Sequence, residues 1–253
     1  MSPGPDAILE VEGVWRKYRR WQQRPASLKD AFVRFFQRDG LAYEDFWALK
    51  DVSFSLRRGE VIGICGGNGS GKSTLLKVLA NILPMTYGHV TVRGKISTLL
   101  DLGTGFLPEL TGRENIALNG AIMGLSNSEI AGHMDSIIEF ADLGTFINSP
   151  IKTYSAGMFM RLGFAIAIHV NADILLIDEI LAVGDEEFHG KCIPELQRMQ
   201  RNGTSLVIAS HALPMLSQLC DRVLWLRGGR IMMDGAPSDV LNHYAPRPAV
   251  VGD

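Results

Sequence analysis

The feature that most constrains this chain is the octapeptide Gly-Gly-Asn-Gly-Ser-Gly-Lys-Ser at residues 66–73, which fits the pattern GxxxxGK[ST]. An apolar run at residues 61–65 precedes it, and a helix-forming run at residues 74–83 follows it. Successive glycines let backbone N–H groups converge on a phosphate, and the helix adds the positive end of its dipole. A plain glycine-rich turn is the alternative, but the strand before and the helix after favour a triphosphate-binding loop.

This loop predicts that the chain binds a nucleoside triphosphate together with Mg²⁺. In the pattern, the Lys72 ammonium reaches the β and γ phosphates, and the Ser73 hydroxyl ligates the metal that bridges them. The residues predicted to bind the triphosphate are Gly66, Gly67, Asn68, Gly69, Ser70, Gly71, Lys72, Ser73 and Thr74.

The composition is typical of a globular cytosolic chain. The 253 residues are 46% apolar with a net charge of −2, so we expect an ample core and no nucleic-acid partner. Cys65, Cys192 and Cys220 form no CxxC pair, which argues against disulfides and a zinc site. No apolar run approaches the roughly 20 residues of a membrane span, and the first residues lack the order of a signal peptide.

Apolar patterning predicts an α/β chain with a helical block in its middle. Between residues 112 and 170 the apolar positions recur at three and four residues, which predicts helices. The predicted strands lie at residues 8–11, 52–56, 61–65, 90–92, 96–100, 174–177, 206–209, 223–226 and 230–233. We therefore expect one domain over residues 1–253, with a helical subdomain at about 107–170.

An amphipathic segment lies near the start of the chain. From residue 27 to residue 38 the apolar side chains, including Phe32, Phe35 and Phe36, recur at helical spacing behind Ser27, a good N-cap. The segment opens a predicted insertion at about 27–47. Two interpretations stay open: a helix packed on the domain's own surface, or a docking element for a membrane partner.

An apolar strand that ends in two carboxylates follows the phosphate loop. Residues 174–179 read Ile-Leu-Leu-Ile-Asp-Glu. Asp178 is predicted to hold Mg²⁺ directly or through water, and Glu179 to act as the general base toward the attacking water. Such a strand is weak evidence by itself, but behind a phosphate loop it indicates a nucleoside triphosphatase.

Between these motifs, residues 154–158 read Tyr-Ser-Ala-Gly-Met at the start of a helical run. This pentapeptide resembles the signature motif of ABC-type ATPases, whose usual form is LSGGQ. Ser155 and Gly157 keep the hydroxyl and one glycine, whereas Ala156 and Met158 depart from the usual residues. A serine hydroxyl and the free N–H groups of a helix start can still bind a γ-phosphate.

The resemblance implies an ABC-type P-loop ATPase with a RecA-like sheet core, an antiparallel β subdomain and an inserted helical subdomain. It also implies a head-to-tail homodimer with two ATP molecules at the interface. The residues that would contact the ATP held by the partner chain are Ser155, Ala156, Gly157 and Asp185.

Three further positions carry roles that the resemblance implies. His211, directly after a strand, would contact the γ-phosphate as a catalytic residue, and Tyr18 would stack on adenine, with Trp15 and Trp21 as nearby alternatives. The family's usual glutamine after the strand at 96–100 is missing, because Leu102 stands there. Two interpretations stay open: Asp101 replaces the glutamine as a Mg²⁺ ligand by a shift of one residue, or the chain lacks this ligand.

The closest resemblance is to the ATPase subunits of polysaccharide exporters, which handle O-antigen, teichoic acid, capsule or related lipid-linked glycans. The insertion at 27–47, the stretch at 102–106, the run Leu-Thr-Gly-Arg-Glu-Asn-Ile at 110–116 and Asp-Glu-Ile-Leu-Ala-Val-Gly-Asp at 178–185 carry it. It implies a peripheral protein on the cytoplasmic face of the membrane that drives a polytopic permease dimer. The permease, rather than this chain, would bind the glycan, since we expect no C-terminal carbohydrate-binding domain.

Two other functions remain possible from the sequence. An importer subunit for a small solute is disfavoured by the insertion and by the Ala-Gly-Met signature at residues 156–158. Ile180 also stands where general importers and drug exporters more often carry proline. A soluble, non-transport ABC-type ATPase would have two ATPase units or a long coiled-coil insertion, and the sequence shows neither.

Overall fold

The computed structural model describes residues 6–21, 43–100, 105–178 and 186–244. The strands are β1 (Ala7–Trp21), β2 (Tyr43–Arg57), β3 (Val61–Cys65), β4 (Tyr87–Val92), β5 (Ile96–Leu99), β6 (Ile174–Asp178), β7 (Ser205–Ala209), β8 (Arg222–Arg227) and β9 (Arg230–Gly235). The α-helices are α1 (Lys72–Leu79), α2 (Gly112–Ile122), α3 (Asn127–Ala141), α4 (Ala156–Ile168), α5 (Glu186–Arg201), α6 (Leu213–Leu219) and α7 (Pro237–Tyr244), with 3₁₀ turns at Gly144–Asn148 and Ile151–Thr153.

The strands form two sheets. The larger has the order β5-β6-β7-β3-β8-β9 and is parallel except for β9, which runs antiparallel to β8. The smaller is antiparallel, with β1 between β2 and β4. Because β3, β6 and β7 are parallel neighbours, the loops after them meet at one edge of the large sheet, the usual place for ligands in such folds.

Helix α1 lies between the two sheets. Its apolar side chains Leu75, Leu76, Val78 and Leu79 join one hydrophobic cluster with residues from β1, β2, β3 and β8. On the other face of the large sheet, Phe164 of α4, Leu196 of α5 and Val240 of α7 form a second cluster. Burial on both faces explains why β3 and residues 206–209 of β7 are apolar at successive positions rather than alternating.

The region between β5 and β6 is helical and has its own core. Capping boxes of Thr111 with Glu114 and of Ser126 with Glu129 start α2 and α3. Ile116, Ile137 and Leu162 are buried together where α2, α3 and α4 meet. The predicted helices between 112 and 170 are therefore present; their status as a separate subdomain stays a prediction.

The predicted α/β class is confirmed, and each predicted strand is present. Strands β1 and β2 are longer than predicted because they pair with each other as far as Trp21 and Tyr43. Helix α1 ends at Leu79, short of the predicted residue 83, and Asn81 has a positive φ of 57° that ends the helical path. The predicted helix at 27–38 lies outside the described residues, and residues 43–47 belong to β2.

Candidate active site

The phosphate loop connects the end of β3 to the start of α1 and packs closely against two other strands. Gly66 has a φ of 154°, and a Cβ there would lie 2.2 Å from the carbonyl oxygen of Leu226 in β8. Gly71 has a φ of 112°, and a Cβ there would lie 2.7 Å from the carbonyl oxygen of Ala48 in β2. Only glycine fits both positions, since neither the backbone path nor the space admits a side chain.

The other side of the phosphate loop is accessible. A Cβ on Gly67 or Gly69 would meet no described atom within 4 Å, and both residues are exposed together with Asn68. Ser70 is buried, in contrast. The loop therefore has one side held by the protein and one side that a chain of phosphates can approach.

Lys72 begins α1, and its ammonium group lies inside the loop. Nζ donates hydrogen bonds to the carbonyl oxygens of Gly66 at 2.9 Å and Gly67 at 3.4 Å, and the residue is only 7% exposed. Burial lowers the pKa of Lys72, while the negative charge of Asp178 opposes that shift. The positive charge of Lys72 therefore lies where the loop residues converge.

His211 follows β7 and reaches the same point. Its Nε2 lies 3.1 Å from Lys72 Nζ, and because an ammonium only donates, Nε2 accepts in this arrangement. Partial burial and then the charge of Lys72 lower the pKa of His211, and Asp178 opposes them. The preceding Ser210 is buried, and its Oγ accepts from the Ala212 N–H at 3.0 Å, which fixes the turn after β7.

Asp178 ends β6 beside these groups and fits the predicted role of metal ligand. Its Oδ1 is buried without a hydrogen-bond partner within the described ranges, a costly arrangement that a cation would relieve. Carboxylate, hydroxyl and phosphate oxygens are the ligands that Mg²⁺ prefers, and Mg²⁺ needs only one or two carboxylates when phosphates supply the rest. Asp178 therefore suits a Mg²⁺ ion shared with a triphosphate, and Ser73 is the hydroxyl ligand that the loop pattern predicts.

The residues predicted to act in trans lie at the exposed start of α4. Ser155 caps the helix, accepting from the Met158 N–H at 3.2 Å, and Ala156 and Gly157 begin the helical turn. Ser155 and Ala156 are exposed, and the atom nearest to a Cβ on Gly157 would be Ser155 Oγ at 3.9 Å. Across the part of the chain that the structure describes, no hydrogen bond or ion pair joins this helix start to the phosphate loop.

Tyr18 lies in β1, opposite Phe46 of β2. The Arg16 guanidinium carbon lies 4.8 Å from the Tyr18 ring centroid. The alternative aromatic, Trp15, packs edge-on against Trp47 with ring centroids 5.3 Å apart. Stacking of Tyr18 on adenine stays a prediction.

Three predicted site residues lie outside the described ranges, namely Glu179, Asp185 and Asp101. Glu179 directly follows Asp178 in the chain, so the end of β6 fixes where its backbone begins.

Sequence reasoning missed the turn between β8 and β9, which touches the phosphate loop. The Gly229 N–H donates to the Ser70 carbonyl oxygen at 2.9 Å. The signal was present as the pair Gly228-Gly229 between two predicted strands, a common hairpin turn. Nothing in the sequence shows that the turn reaches back to a loop more than 150 residues earlier.

A parallel sheet with a glycine-rich loop, a lysine at the start of the next helix and an aspartate at the end of a neighbouring strand defines a P-loop nucleotide-binding fold. The family model described as ABC transporter matches residues 49–182, more than half of the chain. The chain belongs to the ABC transporter family, which confirms the resemblance seen in its motifs.

Curated relatives align along nearly the whole chain. The O-antigen export system ATP-binding protein RfbB of Myxococcus xanthus is 47% identical over 248 residues, which cover 96% of this chain and 56% of that protein. The teichoic acids export ATP-binding protein TagH of Levilactobacillus brevis is 42% identical over 236 residues, which cover 93% of this chain and 64% of that protein. The chain thus spans less than two thirds of the length of either relative.

Solved structures support the fold. A dimeric ATP-binding cassette in a post-hydrolysis state, bound to ADP and Pi, superposes with a TM-score of 0.74 at 21% identity, covering 91% of this chain and 99% of that one. This similarity confirms the two-sheet architecture with inserted helices. Among the described helices, none has both the length and the apolar character needed to cross a bilayer.

Proposed function

We propose that this chain is the ATP-hydrolysing subunit of an ABC exporter that moves a lipid-linked polysaccharide across the cytoplasmic membrane. The observation that carries the ATPase part is the convergence of Lys72, His211 and Asp178 at one edge of the large sheet, with Lys72 Nζ and His211 Nε2 only 3.1 Å apart. The similarity to O-antigen and teichoic acid export proteins supports the polysaccharide part.

The residues of this site can bind and orient ATP for attack by water. Exposed loop N–H groups and Lys72 would hold the β and γ phosphates, and Asp178 with Ser73 would hold Mg²⁺, which supplies charge neutralisation when bound. Glu179 would accept a proton from the attacking water as the oxygen bonds to the γ-phosphorus and the bond to ADP breaks. His211 would contact the γ-phosphate.

The second half of the site would come from a second copy of this chain. The exposed N-terminus of α4 offers Ser155 and the backbone N–H groups after it, together with the positive end of the helix dipole. Asp185 of that copy would lie at the same interface. ATP would therefore close a homodimer, and hydrolysis would reopen it.

Conformational work would pass from this dimer to a polytopic permease dimer. The chain would lie on the cytoplasmic face of the membrane as a peripheral subunit, while the permease binds the lipid-linked glycan. The predicted amphipathic segment at 27–38 is a candidate for the contact between them.

Steady-state hydrolysis by the purified chain tests the enzyme part. Wild type should hydrolyse Mg·ATP, whereas Glu179→Gln should bind ATP, form a stable dimer and turn over at least about 100-fold more slowly, as expected when a general base is removed. Undiminished turnover in Glu179→Gln would remove Glu179 from the role of base.

Asp178→Asn tests the metal assignment. It should bind Mg²⁺ more weakly, seen as a higher Mg²⁺ concentration for half-maximal hydrolysis, yet melt no lower than wild type because a buried unpaired carboxylate is removed. An unchanged Mg²⁺ dependence would contradict the assignment.

Deletion of the gene in its host tests the transport part. Surface polysaccharide should be lost and its lipid-linked precursor should accumulate in the cell, and wild type but not Lys72→Ala should restore export. Normal surface polysaccharide in the deletion strain would overturn the export proposal without affecting the ATPase assignment.

A further inference from the structure

The turn between β8 and β9 lies between the phosphate loop and β2. On one side, the Gly229 N–H donates to the Ser70 carbonyl oxygen at 2.9 Å. On the other side, the Lys50 N–H donates to the Gly229 carbonyl oxygen at 2.8 Å. One residue of the turn therefore connects the phosphate loop to the antiparallel sheet through its own backbone.

Gly229 fits this place only because it has no side chain. Its φ is 80°, and a Cβ would lie 2.6 Å from the Ala48 carbonyl oxygen and 3.1 Å from the Leu49 Cα, both of them backbone atoms that cannot swing away. The neighbouring Gly228 also has a positive φ, 56°, but a Cβ there would meet no described atom within 4 Å. Both glycines have a positive φ, and they differ in the space around them.

The hydrogen bond to Ser70 bears on how the loop presents its donors. The Ser70 carbonyl and the Gly71 N–H belong to one planar peptide unit, and the described peptide bonds are all trans. In a trans peptide the C=O and N–H bonds point in opposite directions. Since Gly229 holds the carbonyl from outside the loop, the Gly71 N–H is directed away from Gly229.

We propose that Gly229 is a positioning residue for the triphosphate: by holding the Ser70 carbonyl, it aims the Gly71 N–H at a bound phosphate. The inference rests on the proposed function, because it assumes that ATP occupies the phosphate loop. A preorganised N–H donor stabilises a bound phosphate more than a donor that must first turn toward it, because binding then requires no reorganisation.

Two alanine variants separate this role from general loss of structure. Gly229→Ala should raise the KM for ATP by at least about tenfold, the effect of one lost hydrogen bond to a charged group, with a smaller change in kcat. Gly228→Ala also places a side chain at a positive φ, but without the close contacts, and should leave KM within about twofold of wild type. Equal KM values for the two variants would overturn the proposal.

A measurement on the wild-type chain covers the case in which Gly229→Ala fails to fold. Amide hydrogen exchange, followed by NMR, should be slower at Gly229 than at Gly228, and a non-hydrolysable ATP analogue should slow it further at Gly229 only. Equal exchange at both glycines, or no effect of the analogue at Gly229, would contradict the inference. A wild-type chain that binds no ATP would instead overturn the proposed function, so the two failures are distinguishable.

Discussion

The phosphate loop and the start of α4 both present backbone N–H groups at the beginning of a helix, but the chain surrounds them very differently. At the phosphate loop, Lys72 is 7% exposed, and its Nζ lies 3.1 Å from His211 Nε2. Backbone atoms of β2 and β8 pack directly against the glycines of the loop. Around the start of α4, Ser155 and Ala156 are exposed, and space beside Gly157 is free.

This difference indicates which half of the proposed composite site is assembled within one chain. The ammonium of Lys72, the imidazole of His211 and the carboxylate of Asp178 come from three different elements of one chain, so their arrangement needs no second chain. At α4 the contacts of the helix start within the described ranges are local: Ser155 caps the helix by accepting from the Met158 N–H, and Ala156 and Gly157 begin the first turn. The comparison predicts that variants at the loop weaken ATP binding itself, whereas variants at α4 affect only steps that require two chains.

The largest effect should come from Lys72→Ala. A hydrogen bond to a charged group contributes about 1.5–3 kcal/mol, so loss of the Lys72 contacts should weaken ATP binding by roughly 100-fold in the isolated chain. Isothermal titration with ATP measures this directly. Lys77→Ala on the same helix is the control and should bind within about twofold of wild type; a similar loss in both variants would point to damage to α1 instead.

Gly157→Ala should distinguish the role of the α4 start from that of the phosphate loop. Because the added methyl meets free space and alanine favours helix, the variant should be as stable as wild type or gain up to about 1 kcal/mol. Its ATP hydrolysis should nevertheless fall about tenfold, the effect of about 1.4 kcal/mol of lost transition-state stabilisation.

Gly132→Ala provides a matched control for that variant. Gly132 lies in α3, and a Cβ there also meets no described atom within 4 Å. Thermal melting should show a similar change in both variants, and hydrolysis should fall only in Gly157→Ala. Full activity in Gly157→Ala would remove α4 from the site.

The smallest effect concerns the titration of His211. Burial and the charge of Lys72 lower the pKa of His211, so the folded chain disfavours the protonated ring. The lowered pKa of His211 contributes to the free energy of unfolding above pH 6.5, the ordinary pKa of histidine. This contribution is lost as the pH falls through the lower pKa of the folded state. NMR titration of the nucleotide-free chain should give a value below 6.5 that rises in Lys72→Ala; an unchanged value would show that the two side chains are not coupled.

How much the sequence could predict depends on how local each feature is. The loop at residues 66–73, the strand ending at Asp178 and the cap at Ser155 are encoded by neighbouring residues, and each appears where the pattern indicates. The family and the fold class followed from the same motifs. The roles of individual site residues, including Glu179 and Asp185, stay predictions.

Features that depend on distant pairing were not predictable in the same way. The outer half of β1, rich in Arg and Lys, has no apolar alternation, and it becomes strand because β2 pairs with it. The contact of Gly229 with Ser70 joins residues far apart in the chain. Such contacts are set by the way the sheets pack, which no local pattern records.

The central claim is that one ATP molecule is held by the phosphate loop of one chain and the α4 start of another. Complementation tests it in a Glu179→Gln background. Lys72→Ala removes only the loop half, and Gly157→Asp places a carboxylate where only the α4 half would meet a phosphate. Each variant alone should retain almost no ATP after gel filtration.

Mixed together, the two variants should recover ATP retention. Random pairing makes roughly half of the dimers mixed, each with one complete site of two, so retained ATP should approach roughly a quarter of the level of the Glu179→Gln chain. A mixture that retains no more ATP than its components would contradict the account, because it would mean that both halves must come from the same chain.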